Sequence, residues 1–221
     1  MEMVTGSTIL KNHHGPANRP CPESLWTHNT ILKRKPINLE KTQAHKPTLE
    51  LISHSLYARI LDCFTVKCGS SLEEWASQEP KFSEVWEMAS IIQKEYASSA
   101  AIHALLQKPK DKQDRVFGNS AIFIRDALLY IELCDAVKHG DSGRVNNVRR
   151  LLMFSFYGAG SHNYGLECLH WEQNVRYEWS EGLRQAMFDN ILLNIKGNSF
   201  SWVPVDLVQE HMNYWTKVCV I

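Results

Sequence analysis

The stretch NSAIFIRDALLYIELCDAV, residues 119–137, decides the fold class. On a helical wheel this stretch is apolar nearly all the way round, which is typical of a helix buried at the centre of a protein. It is interrupted only by Arg125, Asp126, Glu132 and Asp135. Charges in such a helix need partners or an exit to water. We therefore predict a central buried helix whose charged side chains are paired within the structure.

The residues that follow predict a turn and a second helix. Gly140 can end the central helix, and Asp141 or Ser142 can cap the next one through a side-chain oxygen. The apolar positions of this second helix keep helical spacing at Val145, Val148 and Leu152. The pattern runs as far as Gly158.

Downstream, the sequence predicts two further helices and one short extended piece. The glycine-rich run FYGAGSHNYG predicts a tight turn before a helix that begins near Tyr164. Another helix should span about Ser180 to Ile195. Gly197 then marks a turn, so at most a short strand or hairpin is expected near residues 195–203, before Pro204.

Upstream of the central helix, apolar residues at three- and four-residue steps predict a helix from Thr48 to about Gly69. Its apolar face consists of Leu49, Ile52, Leu56, Ile60 and Phe64. Ser70 and Glu73 have the spacing of a capping box, which predicts a short helix carrying Trp75.

A longer helix is predicted after Pro80, which suits a first helical turn. This helix should run toward Leu106 and be closed by Pro109 and the charged residues after it. Residues 1–46 show no sustained apolar period and contain several prolines. The predicted organisation is therefore mainly α: a flexible, poorly ordered arm over residues 1–46 and an irregular multi-helix bundle over residues 47–221.

The last predicted helix, DLVQEHMNYWTK, carries two stripes. Its polar stripe consists of Asp206, Glu210, Asn213 and Lys217. Its second stripe, which we expect to face the core, consists of Leu207, His211, Trp215 and Val218. Asn213, Lys217 and His211 are the candidate binding residues of this helix.

Composition excludes several classes of protein. Twenty-four basic residues balance twenty-four acidic ones, so no strong overall field draws the chain to nucleic acid or an anionic membrane. The six scattered cysteines and the lack of a signal peptide or apolar span predict an intracellular protein, cytoplasmic or nuclear, that is not secreted. A short basic run, Lys33, Arg34 and Lys35, is a candidate phosphate contact or nuclear address.

Five landmarks between Leu49 and Lys217 resemble a known family. They are SLEEWASQEP, the stretch from Asn119 to Cys134, KHGDSGRV, FYGAGSHNYGLECL and DLVQEHMN with a lysine four residues later. In order and spacing they resemble the fungal domain of unknown function six-five-eight-nine. Members of that family are typically longer at the N-terminus, so the resemblance implies a truncated chain. It also suggests descent from a mobile-element transposase with a ribonuclease-H-like core.

Metal-dependent phosphoryl transfer requires carboxylates that converge on Mg²⁺. The candidate catalytic residues are Glu210, Asp206, Glu167 and Asp141, with Lys217 as a candidate phosphate contact. The simpler interpretation is a solvated polar face with a contact between Asn213 and Lys217, and a capping role for Asp141. The simpler interpretation is favoured, so no metal ligand is assigned and Mg²⁺ enters only under the nuclease alternative.

Three other groups of residues give weaker evidence for a zinc site, a nucleophile or a phosphate-binding loop. Cys63, Cys68 and His54 lack the second ligand pair of a zinc site, and a buried Cys63 beside an exposed Cys68 is the alternative. The pairs Ser161–His162 and Cys168–His170 lack a nucleophile-elbow context. The glycine-rich turn is not a P-loop, because no Gly-Lys-Ser/Thr follows it.

Two functional hypotheses remain. The first and preferred one is a non-enzymatic helical module, or a remnant of the family, that binds a protein partner or a missing domain segment and uses no cofactor. The alternative is a fragment of a metal-dependent nuclease or transposase that contacts nucleic acid through Lys33, Arg34 and Lys35. Convergence of Glu210 and Asp206 with Glu167 or Asp141 would distinguish the two.

Overall fold

A computed structural model describes residues 45–219, together with Thr5, Gly6 and Ile9. The described part of the chain is mainly α-helical and contains one two-stranded antiparallel hairpin, as predicted. The described residues form two compact units that divide between Leu128 and Leu129, here called the N-terminal and C-terminal units. Residues 1–44, apart from the three named above, lie outside the described residues. The division into an arm and one helical domain therefore stays a prediction.

The N-terminal unit is built from helices. They are α1 (His45–Cys68), α2 (Leu72–Ala76), α3 (Phe82–Ile92), a π-helical turn (Gln93–Ala97), α4 (Ser99–Leu106) and the first half of α5 (Arg115–His139). The predicted first helix is confirmed, and Ile52, Leu56 and Phe64 on its face are buried. The Phe64 ring packs edge-on against Trp75 of α2, with ring centroids 5.2 Å apart.

The capping box of α2 lies one residue later than predicted. Ser71, rather than Ser70, accepts a hydrogen bond at Oγ from the backbone N–H of Glu74 at 3.2 Å. The Glu74 carboxylate accepts in return from the Ser71 N–H at 3.1 Å. In the sequence SSLEE, both Ser70–Glu73 and Ser71–Glu74 have the spacing of a capping box, and the structure forms the second pair.

The predicted long helix after Pro80 is also corrected. Pro80 precedes the helix, because Lys81 is the N-cap residue and its N–H donates to the Glu84 carboxylate at 2.7 Å. The helix does not continue to Leu106. A π-helical turn and the extended backbone of Ser98 separate α3 from α4, and the Ser98 hydroxyl caps α4 by accepting from the Ala101 N–H.

The C-terminal unit follows the second half of α5. Its elements are α6 (Ser142–Gly158), α7 (His162–Gln173), a π-helical turn (Asn174–Glu178), α8 (Glu181–Asn190), β1 (Leu192–Leu193), β2 (Val203–Pro204) and α9 (Val205–Cys219). In the hairpin, Leu192 pairs with Pro204 and Leu193 with Val203. The predicted end of α8 at Ile195 is wrong, because the chain leaves the helix after Asn190 to form β1.

The central helix α5 is buried as predicted. Phe123, Tyr130 and Leu133 are all 0% exposed. The second half of α5 contributes to a cluster with α6 and α7 that includes Leu133, Val145, Val148, Leu152, Phe156 and Cys168. The predicted pairing of the interrupting charges is confirmed, since Arg125 binds Asp126 at 2.7 Å and Arg144 binds Glu132 at 2.6 Å.

The turn between α5 and α6 is a Schellman motif. Gly140 has a φ of +72°, the Asp141 N–H donates to the Ala136 carbonyl at 2.9 Å, and the Gly140 N–H donates to the Val137 carbonyl at 3.0 Å. The Asp141 carboxylate then accepts from the Arg144 N–H at 2.9 Å. Asp141 therefore caps α6, which confirms its simpler interpretation.

The inward stripe predicted for α9 is wrong at Trp215 and Val218, whereas Leu207 is partly buried. Trp215 is 61% exposed and Val218 is 49% exposed. The side chain of His211 lies outside the described residues. None of the helices in the described part of the chain is long and apolar enough to cross a membrane.

We predict that Gly140→Ala destabilises the fold more than Gly160→Ala. Both glycines occupy the positive-φ position of a Schellman motif, with φ of +72° and +75°. A Cβ on Gly140 would lie 2.6 Å from the Trp202 ring, whereas a Cβ on Gly160 meets nothing within 4 Å. Gly160→Ala should therefore cost about 1 kcal/mol through backbone strain alone, and Gly140→Ala about 3 kcal/mol.

Urea unfolding of both variants measures these costs, with the wild-type chain as reference. Equal losses of stability in the two variants would show that Trp202 does not restrict the Gly140 turn.

Candidate functional site

The packing of α6 against α7 positions the candidate sites. The chain reverses at Gly160 through the second Schellman motif, in which the Ser161 N–H donates to the Phe156 carbonyl at 2.9 Å. Gly165 on α7 lies against the Tyr157 ring, where a Cβ would come within 2.5 Å of a ring carbon. This glycine lets the two helices approach closely along their shared length.

An ion-pair cluster fixes the start of α6 on α5. The Arg144 guanidinium donates to Glu132 at 2.6 Å and to Asp135 at 2.8 Å. The hydrogen bond from Arg144 lowers the pKa of Asp135, and both carboxylates raise the pKa of Arg144. The three charged side chains bind one another, so we interpret the cluster as structural.

A cavity of about 410 Å³ lies in the C-terminal unit, and we call it the Trp171 cavity. Most of its wall is apolar. It is lined by Val137, Val145, Arg149, Tyr164, Glu167, Cys168, Trp171, Met187, Ile191, Leu192, Pro204, Val205 and Asp206. A volume of several hundred cubic ångströms with a few polar groups is typical of small-molecule sites.

Trp171 organises the wall of this cavity. Its indole N–H donates to Asn146 Oδ1 at 2.7 Å, and its ring packs edge-on against Trp179 at 5.0 Å. The Arg149 guanidinium lies over the Trp171 ring, 4.2 Å from the centroid. Burial lowers the pKa of Arg149, since removal of water disfavours its charge. Among the described residues, no carboxylate forms an ion pair with Arg149.

A groove of about 570 Å³ lies beside the α6–α7 interface, and we call it the Glu172 groove. It is lined by Asn147, Arg150, Leu151, Met153, Phe154, Glu172 and Arg176. Arg150 Nε and Arg176 Nε lie 3.1 Å and 3.0 Å from the same oxygen, Oε2 of Glu172. The other oxygen, Oε1, is buried without a hydrogen-bond donor in the described structure.

The groove also exposes apolar side chains. Phe154 is 70% exposed and Leu151 is 54% exposed, and both lie on α6. They are three residues apart, so they share one face of the helix. The groove therefore combines two guanidiniums with an exposed apolar surface formed by Leu151 and Phe154.

The predicted carboxylates are only partly brought together. Glu167 and Asp206 line the Trp171 cavity, whereas Asp141 caps α6 and Glu210 is exposed on α9 outside that lining. Within the described part of the chain, no group of three or more His, Cys, Asp or Glu side chains is arranged to hold a metal ion. The three-carboxylate convergence that would mark a two-metal nuclease is not formed by these residues.

The predicted binding residues do not form one site. Asn213 accepts a hydrogen bond from Gln209 at 3.1 Å, one turn back along α9, which corrects the predicted contact with Lys217. Lys217 is exposed. The basic run Lys33, Arg34 and Lys35 lies outside the described residues, as does the side chain of His211.

The predicted thiol and nucleophile candidates have structural surroundings. Cys63 and Cys68 both lie in α1, where Cys63 is buried and the Cys68 thiol lies 3.9 Å from Met88 Sδ. Cys168 is also buried, and burial raises its pKa above that of a free thiol. His162 packs its ring near Tyr157, at 5.7 Å between centroids, and Ser161 precedes α7 as its N-cap residue.

The model of a family of unknown function, DUF6589, matches residues 1–220. The chain belongs to DUF6589. The match begins at residue 1, further toward the N-terminus than the landmarks that start at Leu49. No curated protein and no solved structure matches the chain. Membership in DUF6589 names no activity, so a function must be argued from the geometry of this chain.

Five side chains that line the cavity and the groove of this DUF6589 chain were not among the sequence candidates. They are Arg149, Arg150, Trp171, Glu172 and Arg176. The available signal was the adjacent pair Arg149–Arg150 within an apolar helical pattern, since adjacent residues on a helix point about 100° apart and can therefore face different surroundings. Their partners lie more than twenty residues away in sequence, and only the packing of α6 on α7 reveals them.

We predict that Cys68 is alkylated before Cys63 and Cys168 at neutral pH. Cys68 is partly exposed, whereas burial excludes reagent from the other two thiols and raises their pKa. Because the thiolate is the nucleophile, labelling of Cys168 should increase as the pH rises toward its raised pKa.

Mass spectrometry of iodoacetamide-treated native chain measures each site separately, with urea-unfolded chain as the control. Rapid labelling of Cys168 at neutral pH in the native chain would instead indicate an activated thiol.

Proposed function

We propose that this chain is a non-enzymatic helical module that binds a partner protein at the Glu172 groove. The observation that carries this proposal is the pairing of Arg150 and Arg176 with one oxygen of Glu172, beside the exposed Leu151 and Phe154. Cations beside exposed apolar side chains favour a protein ligand that carries both negative charge and apolar side chains.

The charge of the groove favours an acidic occupant. Two guanidiniums and one carboxylate leave a net charge of +1 in the lining. Each ion pair uses the Nε of its arginine, so the terminal nitrogens keep their hydrogen-bond donors. Both arginine side chains are 45% exposed, which leaves these donors within reach of a partner. A carboxylate of the partner can therefore bind without displacing Glu172.

The exposed apolar surface of the groove also favours a partner with apolar side chains. Burial of one large apolar side chain contributes about 1.5–3 kcal/mol. Phe154 and Leu151 lie on one helical face next to the arginines, so a partner helix could cover both with adjacent turns. We therefore propose an amphipathic acidic helix as the occupant, bound in the helix-in-groove manner.

We predict that Phe154→Ser and Arg150→Gln each weaken binding of an acidic amphipathic peptide about tenfold, or ~1.4 kcal/mol. Phe154→Ser removes apolar contact, and Arg150→Gln removes one cation. The probe is a fluorescein-labelled helical peptide composed of Glu and Leu, titrated by anisotropy. Phe82→Ser and Arg184→Gln are matched controls, because Phe82 is 80% exposed and Arg184 pairs with Glu181, both outside the groove.

A third variant tests the electrostatic part of the proposal. Glu172→Gln raises the net charge of the groove and should strengthen binding of the acidic peptide, with a steeper loss as salt is added. A peptide in which Lys replaces every Glu should bind poorly. Equal binding of both peptides, or equal effects of the groove and control variants, would refute the proposed groove function.

A further inference from the structure

We infer that the Trp171 cavity binds a small organic monocarboxylate whose body is apolar, and that Arg149 receives the carboxylate. This site is separate from the Glu172 groove and from the protein partner proposed for it. Its recognition elements are one guanidinium, an apolar wall and the acidic side chain of Glu167.

The guanidinium supplies the anion-binding element. Arg149 lies over the Trp171 ring, and the charges of Asp206 and Glu172 act on it without forming a salt bridge to it within the described residues. Arginine stays charged at neutral pH even when burial lowers its pKa. A partly buried cation that has lost water gains from a bidentate carboxylate, whose two oxygens match the planar fork of the guanidinium.

The stacking on Trp171 fixes the plane of that fork. The indole is itself held by its bond to Asn146 and by the rings of Trp179 and Phe188. Because the ring cannot turn freely, the guanidinium above it is already oriented before a ligand arrives. Such preorganisation lowers the entropic cost of binding.

The remaining wall selects an apolar body. Val137, Val145, Ile191 and Leu192 are buried residues that line the cavity, and Met187 adds a flexible apolar surface. A cavity of about 410 Å³ lies within the range of sites that enclose small organic molecules. A fused aromatic ring or a short branched chain would displace water from this wall.

The Glu167 carboxylate in the lining selects against a second negative charge. Glu167 is exposed, so water screens its effect on a single bound carboxylate. A dianion would meet the same repulsion twice while Arg149 compensates only one charge. We therefore expect a monocarboxylate to bind more tightly than phosphate.

The experiment uses 1-naphthoate as the probe, in isothermal titration calorimetry with the full chain. 1-Naphthalenemethanol tests the apolar body without the charge, and inorganic phosphate tests the charge without the body. We expect 1-naphthoate to bind at least tenfold more tightly than either. Equal affinity for the alcohol, or no detectable binding of 1-naphthoate at millimolar concentration, would overturn the inference.

Two variants locate the site. Arg149→Gln should weaken 1-naphthoate binding more than tenfold and leave binding of the alcohol unchanged, whereas Arg184→Gln, outside the cavity, should change neither. Circular dichroism verifies that Arg149→Gln is folded. Glu167→Gln changes an exposed residue, and it should strengthen binding of both anions, phosphate more than 1-naphthoate. Unchanged anion binding in a folded Arg149→Gln chain, or in Glu167→Gln, would overturn the assignment.

Discussion

The contact between Gly140 and the indole of Trp202 is the constraint on which the C-terminal unit depends. The indole occupies the space of a Cβ, so the turn after α5 can be made only by glycine. The same turn satisfies the last carbonyls of α5 and lets Asp141 cap α6. Trp202 immediately precedes β2, so the contact also ties the hairpin, and α9 after it, to the end of the central helix.

Local rules predicted the parts of this fold that depend on neighbouring residues. The buried helix, the Gly140 turn and the Asp141 cap follow from periodicity and from the need to satisfy helix ends. Local rules failed where two registers were chemically equivalent, as at Ser70 and Ser71. They also failed at the break between α3 and α4, because an apolar stripe continues across the π-helical turn and the extended Ser98.

The candidate sites could not be predicted in the same way, because their residues meet only through tertiary packing. Trp171 lies twenty-two positions after Arg149, and no spacing rule links an arginine to an indole on another helix. The predicted stripes of α9 show a second kind of error, in which an apolar face was assumed to be buried. Amphipathic spacing shows that a helix has an apolar face, but it does not show that the same chain covers that face, and Trp215 is largely exposed. The carboxylates Asp206 and Glu210 share a stripe, yet only Asp206 lines the cavity.

Helical geometry explains how one interface supports two sites of different character. Adjacent residues on an α-helix point about 100° apart, since a turn contains 3.6 residues. Arg149 therefore lines the Trp171 cavity while Arg150 lines the Glu172 groove, and on α7 the neighbours Trp171 and Glu172 divide in the same way. Each arginine meets the α7 residue of its own side: Arg149 stacks on the indole and Arg150 pairs with the carboxylate. The cavity and the groove thus lie on different sides of the α6–α7 pair. A shift of α7 along α6 would alter both contacts at once, whereas a substitution of one arginine leaves the other contact in place.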